Sequence, residues 1–381
     1  MTQKKLRIGL VFGGRSGEHE VSLASAKSVM EKLNPDKYEV VPIGITKAGT
    51  WLLGTTPDKL IAAGQQGVQQ TSQDAQELTS VTLTSDPTVG RLIPLQGDVP
   101  LGDRGAIDVI FPVLHGPYGE DGTLQGLLEM TNIPYVGCGV LGAALGMDKE
   151  KMKMIFAAAG LPNVNSVVFK RKRWEHDPIA VLDTIEQQIG YPNFVKPVNL
   201  GSSVGISKAR NREELARALH VAAEYDTKII VEQGINCREC ECAVLGNDEP
   251  IVSVVGEIVA SNEFYDYNAK YVDNKSQAII PADIPAQTAQ EIRRYALEAF
   301  LALDLSGLSR VDFFIEKETG KIYINEVNTL PGFTQISMYP KLWEASGLPY
   351  TELLDRLIAL ALDRHADRQR NFQSLSFSAG Y

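Results

Sequence analysis

No stretch of about 18 consecutive apolar residues occurs in the chain, so no single helix of it is long and oily enough to cross a bilayer. The opening residues MTQKKLRIGLVFGG pass from two lysines straight into a strand-like run and lack the small-residue cleavage site of a secretory signal, so a cytoplasmic enzyme is expected. Basic excess is missing too. The formal net charge of −10 disfavours nucleic acid, whose phosphates would be repelled without a basic patch. It leaves open a small phosphorylated ligand, which needs only a few local cations and a metal. Cysteine is scarce, with only Cys138, Cys237, Cys240 and Cys242. Three of them fall in CRECEC, which has the look of a metal knuckle. No second cysteine pair follows, however, and none of the 5 histidines is close in sequence, so zinc is disfavoured. The run reads instead as a strand of a reducing-compartment protein with small apolar residues on one face.

What remains is an ordinary globular composition, 44% hydrophobic and 22% charged, over 381 residues. That length exceeds one typical core, so two or three domains are expected. RIGLVFGG predicts a buried parallel strand, followed by a glycine turn and a helix from about Glu20 to Leu33. YEVVPIGIT and AIDVIFPVLHG are further strands, and the alternation indicates an α/β first domain (1–137) with a parallel sheet. Residues 55–105, rich in Gln, Ser, Thr, Gly and Pro, read as an elaboration of that domain. A helix is expected from Met147 to Ala159. Then SVVFK, a helix around Ile185, NFVKPV, a glycine loop, a helix from Glu213 to Tyr225 and KIIVEQ compose a small α+β module (138–232). The last third (233–365) carries the β-rich runs ECAVLG and PIVSVVGEIVA, a helix near Ala286–Leu303 and a hairpin. Residues 366–381 read as a frayed tail.

Four clusters carry chemistry. GGRSGEHEVS lies at a strand-to-helix junction, which aims backbone N–H groups and a positive dipole end at a ligand. Its spacing is not that of a dinucleotide fingerprint. Glu18 and Glu20 there are either first-turn dipole partners or, for Glu18, a holder of a ligand's ammonium group. LHGPYGEDGTLQG follows a buried strand; Glu120, Asp121 and Thr123 can cap the next helix, and His115 is expected to be reachable. FVKPVNLGSSVG places Lys196 at a strand end before a donor-rich loop able to fold over phosphates, although a plain glycine-serine turn fits as well. Last comes SRVDFFIEKETGKIYINEVNTLPGFT, two alternating strands about the turn ETGK. Pairing symmetric about Thr319 sets Asp312 opposite Glu326 and Arg310 opposite Asn328, all on one face. Facing carboxylates need a cation between them, and this hard-oxygen set suits Mg²⁺.

FGGRSGEHEVSL, LHGPYGEDGTLQG, GSSVG, FYDYNAKY and RVDFF…INEVNTLPG, in this order, resemble the D-alanine–D-alanine ligases of the ATP-grasp superfamily over roughly residues 5 to 363. The resemblance implies a three-domain ATP-grasp fold with α/β and α+β parts and ATP gripped between the central and C-terminal domains. It implies that Lys149 and Lys196 contact the ATP phosphates, that the loop of Ser202 and Ser203 closes over them, and that Glu232 lies at the adenine and Glu239 at the ribose. Phe264 would belong to the same ATP site. Asp312, Glu326 and Asn328 would hold two Mg²⁺ ions, with Mn²⁺ able to substitute and a monovalent cation as a further cofactor. Glu18 would take the ammonium of the first D-alanine, with His115 near that substrate; Arg310 and the Gly332 N–H would form the oxyanion site, and Ser337 and Met338 would receive the second D-alanine, where the family often has leucine in place of Met338. A lid from Glu263 to about Pro281 would bring Lys270 to the γ-phosphate and join Tyr271 to Ser202 and Glu18. A homodimer, peptidoglycan precursor synthesis, and no nucleic-acid or membrane partner are implied as well.

Other ATP-grasp ligases share the metal hairpin but should lack GGRSGEHEVS and the AKY lid together. A catalytically dead nucleotide-binding relative should have lost a metal carboxylate or Lys196, and neither is lost. Ligases making D-alanyl-D-lactate or D-alanyl-D-serine are the alternative within the family, where a lid tyrosine goes with dipeptide synthesis and phenylalanine with lactate. Tyr271→Phe is therefore expected to shift part of the activity toward D-lactate. The product ratio, read by mass with D-alanine and D-lactate competing, checks this, and an unchanged ratio counts against the lid role.

Overall fold

Strand β1 (Leu6–Gly13) is buried at every position from Ile8 onward, as a parallel strand covered on both faces must be. The structure, a computed structural model, describes residues 4–65, 78–96, 101–201, 204–259 and 277–371. After β1 come helix α1 (His19–Lys32), β2 (Tyr38–Ile45), β3 (Trp51–Leu53), α2 (Pro57–Gln65), β4 (Thr79–Leu83), β5 (Leu92–Pro94), β6 (Val109–Val113) and α3 (Thr123–Thr131). The first sheet has the order β5-β4-β3-β2-β1-β6. Only β2, β1 and β6 are parallel neighbours. The expected parallel sheet is thus a mixed one. The link from β2 to β3 is too short for a crossover, so it closes a hairpin, and the described parts of the 55–105 elaboration continue the sheet antiparallel.

Helix α4 (Val140–Met147) runs into the start of a separate helix, α5 (Lys149–Ala158), which is the helix expected from Met147 to Ala159. The break is Asp148, whose extended backbone lets its carboxylate accept the Lys151 N–H at 3.1 Å and cap α5. Next follow β7 (Ser166–Lys170), α6 (Arg171–His176), α7 (Pro178–Gln188), β8 (Asn193–Pro197), β9 (Ser207–Ala209), α8 (Arg212–Tyr225) and β10 (Lys228–Gln233). They build an antiparallel sheet of order β7-β10-β8-β9 with its own core, which includes Phe169, Ile185, Leu219 and Ile229.

The third sheet, β13-β12-β11-β14-β15, is formed by β11 (Cys237–Gly246), β12 (Ile251–Val259), β13 (Gln277–Ile279), β14 (Gly307–Glu316) and β15 (Ile322–Asn328). Helix α9 (Ala286–Ala302) shares a core with one face of it and with α5, where Met152, Phe156, Cys240, Cys242, Phe300 and Phe313 meet. CRECEC therefore does place two cysteines inward. On the opposite face, α10 (Met338–Ala345) and α11 (Tyr350–Arg368) join the third sheet to the first in one continuous core. The chain does not fray at residue 366. Helix α11 runs on to Arg368, which pairs with Glu129, and Gln369 donates to Asn132 at 2.5 Å; residues 372–381 lie outside the described residues.

Phe333 is the keystone of that joint core. It is 1% exposed, edge-on to Phe111 of β6 with centroids 5.9 Å apart, and stacked on Tyr350 of α11 at 6.2 Å. Its N–H donates to Ser25 of α1 at 3.2 Å and its carbonyl accepts from Tyr350 Oη at 2.5 Å. Phe333→Ala should cost about 3–5 kcal/mol, the usual range for emptying a buried phenylalanine site. Urea denaturation checks it: the midpoint should fall clearly below wild type, with Phe333→Leu in between.

Candidate active site

A cleft of about 570 Å³ opens between the four-stranded and five-stranded sheets, with Lys149, Lys196, Glu232, Glu239, Asp312 and Glu326 in its wall. On the four-stranded side, neighbouring β8 and β10 bring Lys196 and Glu232 together. Lys196 Nζ lies 2.6 Å from Glu232 Oε2, and Lys153 of α5 lies 2.8 Å from Oε1. All three side chains are buried. Burial alone would raise the Glu232 pKa, but the two ammonium groups outweigh it and hold the carboxyl at about 2. Burial likewise works against the charge on Lys196, and Glu232 and Glu326 more than reverse it, so this lysine stays protonated. Lys149, the first residue of α5, donates to the Leu200 carbonyl at 2.8 Å and pairs with Glu326 at 3.2 Å. One lysine thereby ties the start of the glycine loop to the hairpin.

On the five-stranded side the ladder pairs Arg310 with Asn328 and Asp312 with Glu326, as the symmetric pairing about Thr319 requires. The symmetry fails nearer the turn. Phe313 pairs with Ile324, so Asn325 is an extra residue in β15. Arg310 grips Asp312 with both ends of its fork, at 2.7 and 2.6 Å, and its Nε also lies 3.0 Å from Glu241 of β11. Asn328 donates to Asp312 at 3.0 Å. Burial opposes the guanidinium charge, yet Asp312 and Glu241 raise the Arg310 pKa well above its ordinary value. Two carboxylates and a carboxamide side by side fit a hard divalent cation. Among the described residues no group of three or more His, Cys, Asp or Glu side chains forms a metal cage, so an ion here would fill its shell from Asn328, water and phosphate oxygens.

The first sheet closes the inner end. Glu18 is 7% exposed and stands at the start of α1 without capping it, which separates it from Glu20, an exposed partner of Lys47 at 2.6 Å. A Cβ on Gly201 would lie 3.1 Å from the Glu18 carboxylate, so the first residue of the glycine loop abuts this acid. Gly116 crosses it still more closely. With φ of 73° and only 2.6 Å from its would-be Cβ to Glu18 Oε2, no other residue fits there.

His115 is not reachable as expected. It is 5% exposed because the chain from Leu330 to Phe333 covers it, with its Nδ1 at 3.0 Å from the Leu330 carbonyl and its Nε2 at 3.4 Å from Ser25. Burial holds its pKa below the ordinary value. Of the residues expected to cap α3, Asp121 accepts from Thr123 at 3.0 Å, whereas Glu120 turns inward. The Glu120 carboxylate accepts from the N–H groups of Gly116 at 2.6 Å and Leu330 at 3.2 Å.

A Cβ on Gly332 would lie 2.8 Å from Ser337 Oγ, which itself accepts from the Thr334 N–H at 3.0 Å. Met338 is turned away from this corner. Its side chain is 6% exposed, and its Cε lies 2.6 Å from where a Cβ on Gly256 would stand, so the thioether fills core between α10 and β12. Ser202, Ser203, Phe264, Lys270 and Tyr271 lie outside the described residues, as does the lid up to residue 276; residues 277–279 are strand β13. Sequence reasoning passed over Lys153 and Glu241, and read Glu120 only as a helix cap. A spacing of four residues from Lys149 on one helix was a usable signal for Lys153. For Glu241 the signal was its place two residues after Glu239 on one strand face.

Sequence profiles described as "D-ala D-ala ligase N-terminus" and "D-ala D-ala ligase C-terminus" match residues 7–138 and 155–359. A protein of Ruminiclostridium cellulolyticum named D-alanine–D-alanine ligase is 52% identical over 377 residues, covering 97% of this chain and 98% of its own. Among solved structures, the VanG D-Ala:D-Ser ligase from Enterococcus faecalis superposes with a TM-score of 0.81 at 41% identity, covering 94% of this chain and 100% of that one. The D-alanine–D-alanine ligase from Coxiella burnetii gives 0.81 at 37% identity, with 97% of both chains covered.

Glu120 gives the site a pH signature. Desolvation first, and the Glu18 charge second, push its pKa from 4.5 up to about 8 against the pull of two backbone N–H groups. Between those values the folded chain retains a proton that the unfolded chain releases, so stability falls as pH rises through the window. Glu120→Gln should remove much of that fall. The check is the difference in Tm of the ligand-free protein between about pH 5 and about pH 8, which should shrink by roughly half or more in the variant.

Proposed function

This chain belongs to the D-alanine–D-alanine ligase family, and on that premise we propose that it joins two D-alanine molecules into D-alanyl-D-alanine while ATP becomes ADP and phosphate. The observation that carries the reading is the cleft itself: lysines on one wall, and on the other a carboxylate pair with an arginine held beside it. Use of ATP and a divalent metal follows from the family. The finer reading is two Mg²⁺ ions held by Asp312, Glu326 and Asn328, with Mn²⁺ able to replace them and a monovalent cation assisting. When bound, magnesium adds positive charge next to the phosphoryl oxygens at the moment of transfer.

The chain's own residues divide the remaining work. Lys149 and Lys196 offset charge on the ATP phosphates, while Glu232 and Glu239 address the adenine and ribose. Glu18 holds the ammonium of the first D-alanine beside buried His115, which aims its carboxylate at the γ-phosphate. A carboxylate is a poor electrophile; as an acyl phosphate it becomes a good one. The amine of the second D-alanine, placed by Ser337 and the backbone at Met338, then attacks the acyl carbon; the bond from that carbon to the phosphate oxygen breaks and inorganic phosphate leaves. Arg310 and the Gly332 N–H stabilise the oxyanion, an effect of about 3–4 kcal/mol per donor. Ser202, Ser203, Phe264, Lys270 and Tyr271 complete the reading as loop and lid groups that close over the phosphates and exclude water from the acyl phosphate. Domains 1–137, 138–232 and 233–365, a cytoplasmic location, a homodimer and a role in supplying peptidoglycan precursors belong to the same proposal.

The test is Mg-ATP-dependent phosphate release with D-alanine, L-alanine, D-serine, or D-alanine plus D-lactate, with products identified by mass. D-alanine alone should yield the dipeptide. A clear D-serine or D-lactate product with little D-alanine turnover would overturn the acceptor assignment. Asp312→Ala and Glu326→Ala should each lower ligation at least about 10²-fold with the fold intact. Retained turnover at saturating Mg²⁺ would sink the metal assignment.

A further inference from the structure

Glu241 is a carboxylate that the reaction just described does not use. It lies on β11 directly across the ladder from Asp312, which in turn lies across from Glu326, so three carboxylates stand in one row over three strands. Glu241 is 7% exposed and reaches the same cleft wall. Its Oε2 lies 3.0 Å from Arg310 Nε, the nitrogen that also donates to Asp312 Oδ1 at 2.7 Å. One guanidinium is thus shared between an acid assigned to the metal and an acid that is not.

The sharing matters because Arg310 occupies both oxygens of Asp312, and Asn328 also donates to one of them. A divalent cation and a guanidinium repel each other and compete for the same lone pairs. Three donors already use most of the roughly four lone-pair sites of that carboxylate, so a cation binds Asp312 more tightly when the arginine loosens its grip there. Without another anion within reach it would be left buried and poorly paired, which is strongly unfavourable. Glu241 is that second anion. It lies against Nε, on the guanidinium edge that also meets Asp312.

We propose that Glu241 is a positioning residue: it retains Arg310 as Asp312 passes to the metal, and so sets both divalent-ion affinity and the aim of the oxyanion donor. The proposal rests on the ligase reading for the identity of the oxyanion, but its test does not require turnover.

Mn²⁺ affinity is measured by titration calorimetry on the full chain saturated with ADP. Wild type, Glu241→Gln, Arg310→Met and the double variant are compared. Glu241→Gln should weaken Mn²⁺ about 10-fold, the lower end of what removing a residue behind a ligand does. In the Arg310→Met background the same substitution should change affinity by less than about 2-fold, because Glu241 acts through the arginine. An equal loss in both backgrounds would mean that Glu241 acts on the metal only through its charge, and would overturn the proposal. No loss in either background overturns it as well. Should Glu241→Gln fold poorly, Glu241→Asp, which keeps the charge and withdraws it by one methylene, is read in the same two backgrounds by the same criterion. In ligation, Glu241→Gln should lower kcat with the KM for ATP nearly unchanged. If wild type binds Mn²⁺ and ADP but forms no dipeptide, the ligase reading fails while the Mn²⁺ comparison still decides the role of Glu241.

Discussion

The register of the β14–β15 hairpin is the constraint on which the site depends. Ile322 and Ile324 belong to the core beneath the sheet, and so does Val327. A regular strand keeps residues of one parity on one face, which would send Glu326 into that core with Ile324. The extra residue Asn325 changes the phase. Val327 returns to the apolar side, and Glu326 and Asn328 emerge beside Asp312 and Arg310. Removing that extra residue would bury a carboxylate and expose a valine. The carboxylate face and the core beneath it are therefore specified by the same local irregularity.

Around this hairpin the charges are arranged so that each of these buried acids has a cation close by, with two cations on Glu232 and two acids on Arg310. Glu232 holds Lys153 and Lys196, Glu326 holds Lys149, and Asp312 shares Arg310 with Glu241. Burying such groups is unfavourable unless partners are close, and removing one partner leaves an exposed penalty on the other. The network therefore fixes side-chain positions more than it stabilises the fold. Positioning is what phosphoryl transfer demands, since most of its catalysis is placement of charge.

Much of this was legible in the residues. The strand-end positions of Lys196 and His115, and the pairing of Asp312 with Glu326, follow from alternation and turn chemistry alone. Three features were not. The hairpin bulge is invisible because Asn325 carries no turn signal and Ile324 satisfies either phase. The burial of His115 depends on a segment more than two hundred residues away, Leu330 to Phe333, laid over it by the joint core. The resemblance gave Met338 to the second D-alanine without saying where its side chain goes, and Gly256 on β12 leaves a gap that the thioether fills. In each case a distant element decides the side chain's direction, and local pattern has no access to it.

The distribution of apolar contacts also divides the molecule mechanically. The first sheet and the α10–α11 face of the third sheet share one core, which fixes Glu18 and His115 relative to Arg310 and Gly332. The four-stranded sheet keeps its core to itself. Its described links to the start and body of α5 include the ion pairs of Lys228 with Asp148 and Glu150, and that of Glu232 with Lys153. Apolar burial of that extent resists shear, because every displaced side chain opens a void. The ion pairs are themselves largely buried, so they too hold their partners in place. The corner of Glu18, Arg310 and Gly332 is thus anchored through apolar packing, and the wall bearing Lys196 and Glu232 is tied to α5 through charge. That anchoring suits a reaction in which a reactive acyl phosphate has to meet a fixed oxyanion site, whichever way the nucleotide enters.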